Sequence, residues 1–421
     1  LPILDQLPEK DLAWKCCVDA EVTLILYNHI ASKVSPSNYK LERDMIPILE
    51  ETSQKGVKLD QERRQQLEDY YQKEYSFYKA TAEGMGFNIG SRFELGYMLA
   101  EAGTFLPFTD TSRFLKTDEK TLKKIRTPAA IGLAQMALLY RHNEGMLTRY
   151  LRPLKGATRA YTMMHMDAIT GRVSPGSAGS NNPDRNLANI PKKVEKGVAP
   201  PIRSMFVGDE FPLSGLTRMD QSQVELRILA HLSQDPVMLA VSARIDGDIH
   251  RSTEEAIWGT NGPNRLVAKI FNFAMIYSYG KVATVAENIG TTDYDKVGRW
   301  INLWMSTYQG ASRWMQQQIV DGIINGYVET LHGRRIPIPL DQGLEHAENC
   351  CINYPIQGTA AEIFKMLIQA VVPLLDEHRI YVHDEIVFNG DVRSQLHIED
   401  LANVSRIRIP VEVQFGQHWA A

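Results

Sequence analysis

Three stretches of the chain combine residue types that can do chemistry. Asp220 stands where a short apolar run meets the amphipathic pattern of residues 224–232. A carboxylate at such a strand-to-helix junction can hold a divalent cation that also touches phosphate oxygens; a helix-capping aspartate fits the same position. Arg265, Lys269, Phe273 and Tyr277 recur every four residues, so they share one side of a helix that starts after Gly262-Pro263. Two cations a turn apart, then two rings, suit a triphosphate at one end and a stacked base at the other. A core-facing aromatic stripe with snorkelling basic side chains has the same spacing. The third stretch is Ile380-Tyr381-Val382-His383-Asp384-Glu385-Ile386-Val387-Phe388, an acidic pair at the tip of what reads as a tight hairpin. Carboxylates between such apolar runs are costly unless they bind metal or pair with cations.

The elements that must position these residues are mixed, and the reading is α+β and helix-rich. Residues 11–33 carry apolar positions at helical spacing, 41–80 carry long helical patterns broken at Lys55-Gly56, and 117–150 read as helix again. Pro, Gly and Asn crowd 174–191, which must be mostly loop. There is no internal repeat and no low-complexity tract. With 421 residues, 44% of them hydrophobic, the chain can bury a large core and form two to four domains or subdomains. No apolar run is long enough to span a bilayer, and no signal peptide opens the chain. It begins at Leu1, which reads as a piece of a longer or processed protein.

The four cysteines form two adjacent pairs, Cys16-Cys17 and Cys350-Cys351, without metal-ligand spacing, so buried thiols in a reducing compartment are expected. The net charge of −4 does not advertise a polyanionic partner, so local charge must be examined. Residues 113–126, 141–159 and 171–208 are each rich in Lys and Arg. Such runs could follow a phosphate backbone or simply be solvated surface.

Taken together and in order, the three stretches resemble motifs A, B and C of the family A DNA polymerases, the bacterial DNA polymerase I kind. Thr170-Gly171-Arg172-Val173-Ser174, Asn186-Leu187-Ala188-Asn189-Ile190-Pro191, Asp248-Ile249-His250, Asn353 to Ala361, and Val411-Glu412-Val413 with Gly416 and Trp419 are similar to further family segments. The resemblance implies a right-hand fold, with an antiparallel palm sheet and helical fingers and thumb. It divides the chain into a remnant of a 3′–5′ exonuclease-like domain (1–35), thumb and connecting helices (36–160), palm with motif A (161–240), fingers with motif B (241–340) and palm with motif C (341–421).

The resemblance also implies roles. Asp220 and Asp384, with the backbone carbonyl of Gln221, would hold two Mg²⁺ ions, for which Mn²⁺ can substitute; Glu385 is a nearby secondary carboxylate. Arg265, Lys269 and His250 would meet the dNTP phosphates, Lys269 also protonating the departing pyrophosphate. Phe273 would pack by the incoming sugar and base, disfavouring dideoxynucleotides. Tyr277 would close the nascent pair, and Glu225 would exclude a ribose 2′-hydroxyl. Arg172, Asn353 and Gln357 would probe the primer–template minor groove, and His383 the primer terminus. The implied partners are primer–template DNA and dNTPs, with no membrane. The implied protein is monomeric and works in the cytoplasm of a bacterium or a phage-infected cell, or in an organelle.

The chain departs from the family pattern at Gln221 (often Tyr), Ser278 (Gly), Asn349 (Arg) and Ala188 (Gln). Of the exonuclease carboxylates only Asp19 has a counterpart, and Lys15 replaces a tyrosine, so no proofreading by this chain is expected. The segment after motif C is short, as if the last palm elements were trimmed. Two other readings stay open: a catalytically silent primer–template binding module, and a polymerase that also copies RNA.

Overall fold

The computed structural model describes residues 8–31, 34–109, 114–176, 186–191, 200–244, 246–259 and 265–420. Gly262-Pro263, the middle of the 174–191 loop and much of the basic stretch 171–208 lie outside these residues.

A four-stranded antiparallel sheet lies at the centre, in the order Val411–Gly416, Leu216–Gln221, Glu385–Asn389, His378–Val382. The apolar runs on either side of Asp384 become its hairpin, and all five residues of His378–Val382 are buried. Continuous burial explains why these strands read as unbroken hydrophobic runs rather than as alternation. Met219, Ile386, Phe388 and Tyr381 from the sheet pack with Met45, Leu49 and Tyr71 from two N-terminal helices, Pro36–Lys55 and Gln61–Gly84. The break expected at Lys55-Gly56 is there, and it holds a short strand, Val57–Leu59, that pairs with Arg159–Ala160 and Phe206–Val207.

The 28-residue helix Leu344–Val371 joins the sheet to the rest: Phe364 and Leu367 enter the sheet's core, while Ile352 and Ile356 enter a second, helical core. Gly358 lets this helix press on the hairpin Tyr327–Glu329/Arg335–Pro337, since a Cβ there would come within 2.6 Å of Thr330 Cγ2. The second core gathers Ile228, Phe271, Met275, Trp304 and Tyr308 from helices between 224 and 325. A third core, with Phe87, Leu95, Leu99, Leu122 and Tyr140, belongs to the helices of 61–146. The helical reading of 117–150 divides into Glu119–Lys124 and Pro128–Met146, because Pro128 starts a new helix at its first position. Lys120 and Lys124 reach Glu287 of the second body at 3.4 and 3.1 Å, exposed pairs worth little individually. The first helix, Glu9–Ala31, buries no side chain and leaves Trp14, Ile25 and Leu26 exposed; of the cysteines expected to be buried, Cys350 and Cys351 are, while Cys16 and Cys17 on this helix are exposed.

One buried carboxylate ties the second body together. Asp235 is fully buried and accepts from Val237 N (3.1 Å) and Met238 N (3.0 Å) with Oδ1, and from Gly310 N (2.8 Å) and Ala311 N (3.2 Å) with Oδ2. It therefore caps two helices, Pro236–Ser242 and Gln309–Asn325, and Gly310 is needed because a Cβ would lie 2.7 Å from Asp235 Cα. Asp235→Ala leaves four N–H groups, three of them buried, without an acceptor and should destabilise the protein by about 2–4 kcal/mol. Urea denaturation checks this; a loss below about 0.5 kcal/mol, typical of neutral surface changes, would sink the double-cap account.

Candidate active site

Asp220 is the penultimate residue of the strand Leu216–Gln221, and the register of the sheet decides its neighbours. It lies directly opposite Glu385 on one flanking strand and Glu412 on the other. The hairpin between the last two motif C strands has only His383 and Asp384 at its tip, because Val382 pairs with Glu385. His383 adopts φ +58°, a conformation uncommon for a non-glycine residue and concentrated at functional turns. Gln221 N donates to Asp384 O at 3.2 Å, clamping the hairpin tip against the end of the motif A strand. Asp220 and Asp384 thus border one cleft of about 560 Å³.

The opposite wall is the helix Arg265–Ser278, whose four-residue spacing places Arg265, Lys269, Phe273 and Tyr277 all on the cleft. Gln221, Glu225, His250, Arg172 and His383 line it as well. Of the residues singled out from the sequence, Glu385, Asn353 and Gln357 do not. Glu385 is buried in the sheet's core, where it accepts from Trp419 Nε1 at 2.8 Å and from Arg203 Nη1 at 3.3 Å, with the guanidinium 4.0 Å above the Trp419 ring. Asn353 and Gln357 lie on the long helix Leu344–Val371; the Oδ1 atoms of Asn353 and of Asn349, one turn before it, are buried without a hydrogen-bond partner.

The charges on the cleft are held in pairs. Glu225 accepts from the Tyr277 hydroxyl with both oxygens (2.7 and 2.9 Å) and from Arg172 Nη2 at 2.5 Å. Burial and the neighbouring carboxylate push the Tyr277 hydroxyl well above its ordinary pKa, so it remains a donor. Asp248 forms an ion pair with Arg265 Nε and caps the helix Ile249–Trp258 through His250 N and Arg251 N. Burial opposes ionisation of Asp248, but Arg265 and the backbone donor outweigh it and hold the carboxyl below the usual range. Burial lowers the His250 pKa to about 4, so its ring is neutral near pH 7. Lys269 Nζ lies 5.8 Å from the Phe273 ring centroid.

Sequence reasoning missed Glu412, which lines the cleft directly across from Asp220. Its place between two valines signals a strand, but nothing in the spacing tells which strand it pairs with. It also missed Asp248 as the partner of Arg265, although its position just ahead of a helical pattern has the form of a cap. Gln221 is buried at 3% exposure with both amide atoms unpartnered, and the Ser278 hydroxyl is taken up by Ala274 O at 2.6 Å. Lys15 and Asp19 pair at 2.6 Å on the exposed first helix.

The model of DNA polymerase family A matches residues 56–421. The chain belongs to that family. It is 28% identical over 438 residues to the thermostable DNA polymerase I of Thermus filiformis, covering 97% of this chain and 50% of that protein. It is 32% identical over 312 residues to DNA polymerase I of Deinococcus radiodurans, covering 68% of this chain and 31% of that one. The chain therefore spans half or less of the length of these relatives. The fold matches that of the POL domain of Pol1 from M. smegmatis, solved in complex with DNA primer-template and dNTP, with a TM-score of 0.80 at 24% identity over 96% of this chain and 75% of that one. The right-hand architecture expected for the family is the fold of this chain. No helix among the described residues is long and apolar enough to cross a membrane.

Two buried histidines of this polymerase-family chain give a pH dependence. His250 and His378, the latter fully buried and stacked on Tyr381, both have pKa values lowered by burial to about 4 from 6.5. Between these values the unfolded chain binds more protons than the folded one, so stability is fully present above pH 6.5 and falls as pH drops toward 4. Denaturation at pH 7.5 and pH 5 should show this loss before carboxylates titrate, and His378→Phe should shrink it. Equal stability at the two pH values would be the contrary result.

Proposed function

We propose that the chain is a DNA-directed DNA polymerase that extends a primer 3′ end with dNTPs, in replication or repair and without proofreading by its own residues. The observation that carries this reading is the shared cleft: Asp220 and Asp384 on one wall face the Arg265–Lys269–Phe273–Tyr277 stripe on the other. Supporting it are membership of the family and the likeness to a polymerase domain solved with primer-template and dNTP.

The donor set fits Mg²⁺. Among the described residues no group of three or more His, Cys, Asp or Glu side chains is gathered into a closed metal cage. Mg²⁺ at phosphate-transfer sites is commonly held by one or two carboxylates, with water and substrate oxygens completing the shell, and Asp220 and Asp384 offer that. Two such ions, for which Mn²⁺ can stand in, would lower the pKa of the primer 3′-hydroxyl and neutralise charge on the α-phosphate and leaving pyrophosphate.

The chain's own contribution is positioning and electrostatics. Arg265 and Lys269 would bind the triphosphate, with Lys269 placed to donate a proton to the departing pyrophosphate. Phe273 and Tyr277 would stack against the sugar and base. Glu225, locked between Tyr277 and Arg172, presents a rigid carboxylate where a ribose 2′-hydroxyl would intrude. Arg172, Asn353 and Gln357 would donate to the primer–template minor groove, whose acceptors are nearly alike in all correct pairs. On this reading the central sheet is the palm, the second core the fingers and the third core the thumb, acting together in one monomer. A silent binding module is disfavoured because both aspartates and both cations face the cleft.

Primer extension with Mg²⁺ tests the reading. Asp384→Ala should lower dNTP addition at least about a thousandfold, roughly 4 kcal/mol, while leaving primer–template affinity unchanged. Glu225→Ala should raise the rNTP-to-dNTP incorporation ratio by about tenfold or more. Tight binding without any template-dependent addition would favour the silent module, and equal extension on an RNA template would widen the substrate class.

A further inference from the structure

Asn272 lies within the motif B stripe but on its inner side, and it is fully buried. Its orientation follows from donors and acceptors alone. Trp304 Nε1 can only donate, and it lies 2.8 Å from Asn272 Oδ1, so that oxygen must be the carbonyl. Thr253 Oγ1, itself held by Ile249 O and the Tyr308 hydroxyl, packs against the same amide at 3.0–3.1 Å. The remaining end, Nδ2, points at His250 Nδ1 at 3.1 Å. An amide nitrogen only donates, so Nδ1 must be the bare, accepting nitrogen and the proton must reside on Nε2. Nδ1 is turned into the protein while His250 lines the cleft, which leaves Nε2 as the ring nitrogen on the ligand side.

We infer that Asn272 is a positioning residue for nucleotide binding: anchored by Trp304, it fixes His250 as the neutral Nε2–H tautomer and presents that N–H to the triphosphate. The inference rests on the dNTP-binding reading of this cleft for its functional half; the tautomer itself does not. The charged groups around the ring are Asp248 on its own helix and Arg265 and Lys269 on the motif B helix, while Trp304, Tyr308 and Thr253 present no charge. Arg265 and Lys269 already supply positive charge. A neutral donor adds a directional hydrogen bond without placing a buried cation beside them, and its state does not change across the working pH range. An unlocked imidazole could instead turn a lone pair toward the phosphates, replacing a hydrogen bond with repulsion.

Asn272→Asp tests the lock at constant size. The carboxylate still accepts from Trp304 but now demands a proton on Nδ1. His250 then becomes either an imidazolium, at lower pH, or the Nδ1–H tautomer with a bare Nε2, at higher pH. The variant-to-wild-type ratio of KM for dNTP should therefore rise roughly tenfold between pH 6 and pH 8, with a smaller change in kcat. His250→Gln, which cannot titrate, should abolish that slope when combined with Asn272→Asp. A ratio that is the same at every pH would mean that Asn272 only supports packing, and would overturn the inference.

Nitrogen-15 NMR of histidine-labelled wild-type chain, with His250 assigned by its loss in His250→Gln, gives a readout that needs neither the Asn272→Asp variant nor catalysis. An Nε2–H signature that persists at pH 5.5 is expected. An Nδ1–H signature, or titration near pH 6.5, would overturn the lock even if the chain polymerises. A chain that shows the lock but incorporates no dNTP would instead count against the polymerase reading.

Discussion

The antiparallel register between Leu216–Gln221 and Glu385–Asn389 is the constraint on which the rest of the site depends. It places Asp220 opposite Glu385, and with the Gln221 N to Asp384 O bond it brings together two carboxylates far apart in the chain. A slip of one residue would turn Asp220 to the other face of the sheet and Met219 into the cleft. Such a slip is opposed from several directions. Met219, Ile386 and Phe388 must stay in one core, the two-residue hairpin fixes the neighbouring strand, and Glu385 is tied to Arg203 and Trp419. The buried ion pair at Glu385 is costly to desolvate and adds little net stability. Its value is in specifying register, because a shifted strand would leave both Glu385 and Arg203 buried and unpaired.

The second constraint is electrostatic. A cleft with acidic side chains on one wall and basic ones on the other must keep its like charges apart. The acidic wall carries Asp220, Asp384 and Glu412, and the basic wall carries Arg265 and Lys269, so each wall alone would repel itself. Part of this repulsion is offset locally: Asp248 pairs with Arg265, and Arg172 with Glu225. These pairs also orient the groups they neutralise. Arg265 is held from behind by a carboxylate that is itself pinned by the N-terminus of the helix Ile249–Trp258, which leaves its guanidinium restrained at the cleft rather than waving in solvent.

Much of this was legible in the sequence, for physical reasons that differ by element. The motif B stripe is local: a spacing of four on one helix settles which side chains share a face, and all four reached the cleft. The motif C hairpin is nearly local, since the flanking apolar runs could pair only by folding back at His383-Asp384. The meeting of Asp220 with Asp384 is non-local, and only the resemblance to a family supplied it. Glu412 escaped for the same reason. Glu385 was given the role of a secondary metal-site carboxylate by the resemblance alone. Its commitment to Arg203 and Trp419 depends on contacts across 182 and 34 residues of chain that no spacing reveals.

Buried polar groups divide into those that are paired within the protein and those that are not. Asp235, Asn272 and Glu385 are buried and paired with nearby donors, as the cost of burying an unpaired polar group requires. Gln221, Asn349 and Asn353 are just as buried in kind, yet the amide of the first and the carbonyl oxygens of the other two meet no protein partner. Thr104 Oγ1 and Trp258 Nε1 in the scaffold also lack a partner, so an unmet hydrogen bond does not by itself mark the site. Gln221 is set apart by its place: it lines the cleft, whereas the two asparagines lie one turn apart on the long helix, outside the cleft's lining. A carbonyl that is already desolvated loses little more when a ligand covers it, and gains a hydrogen bond it lacked.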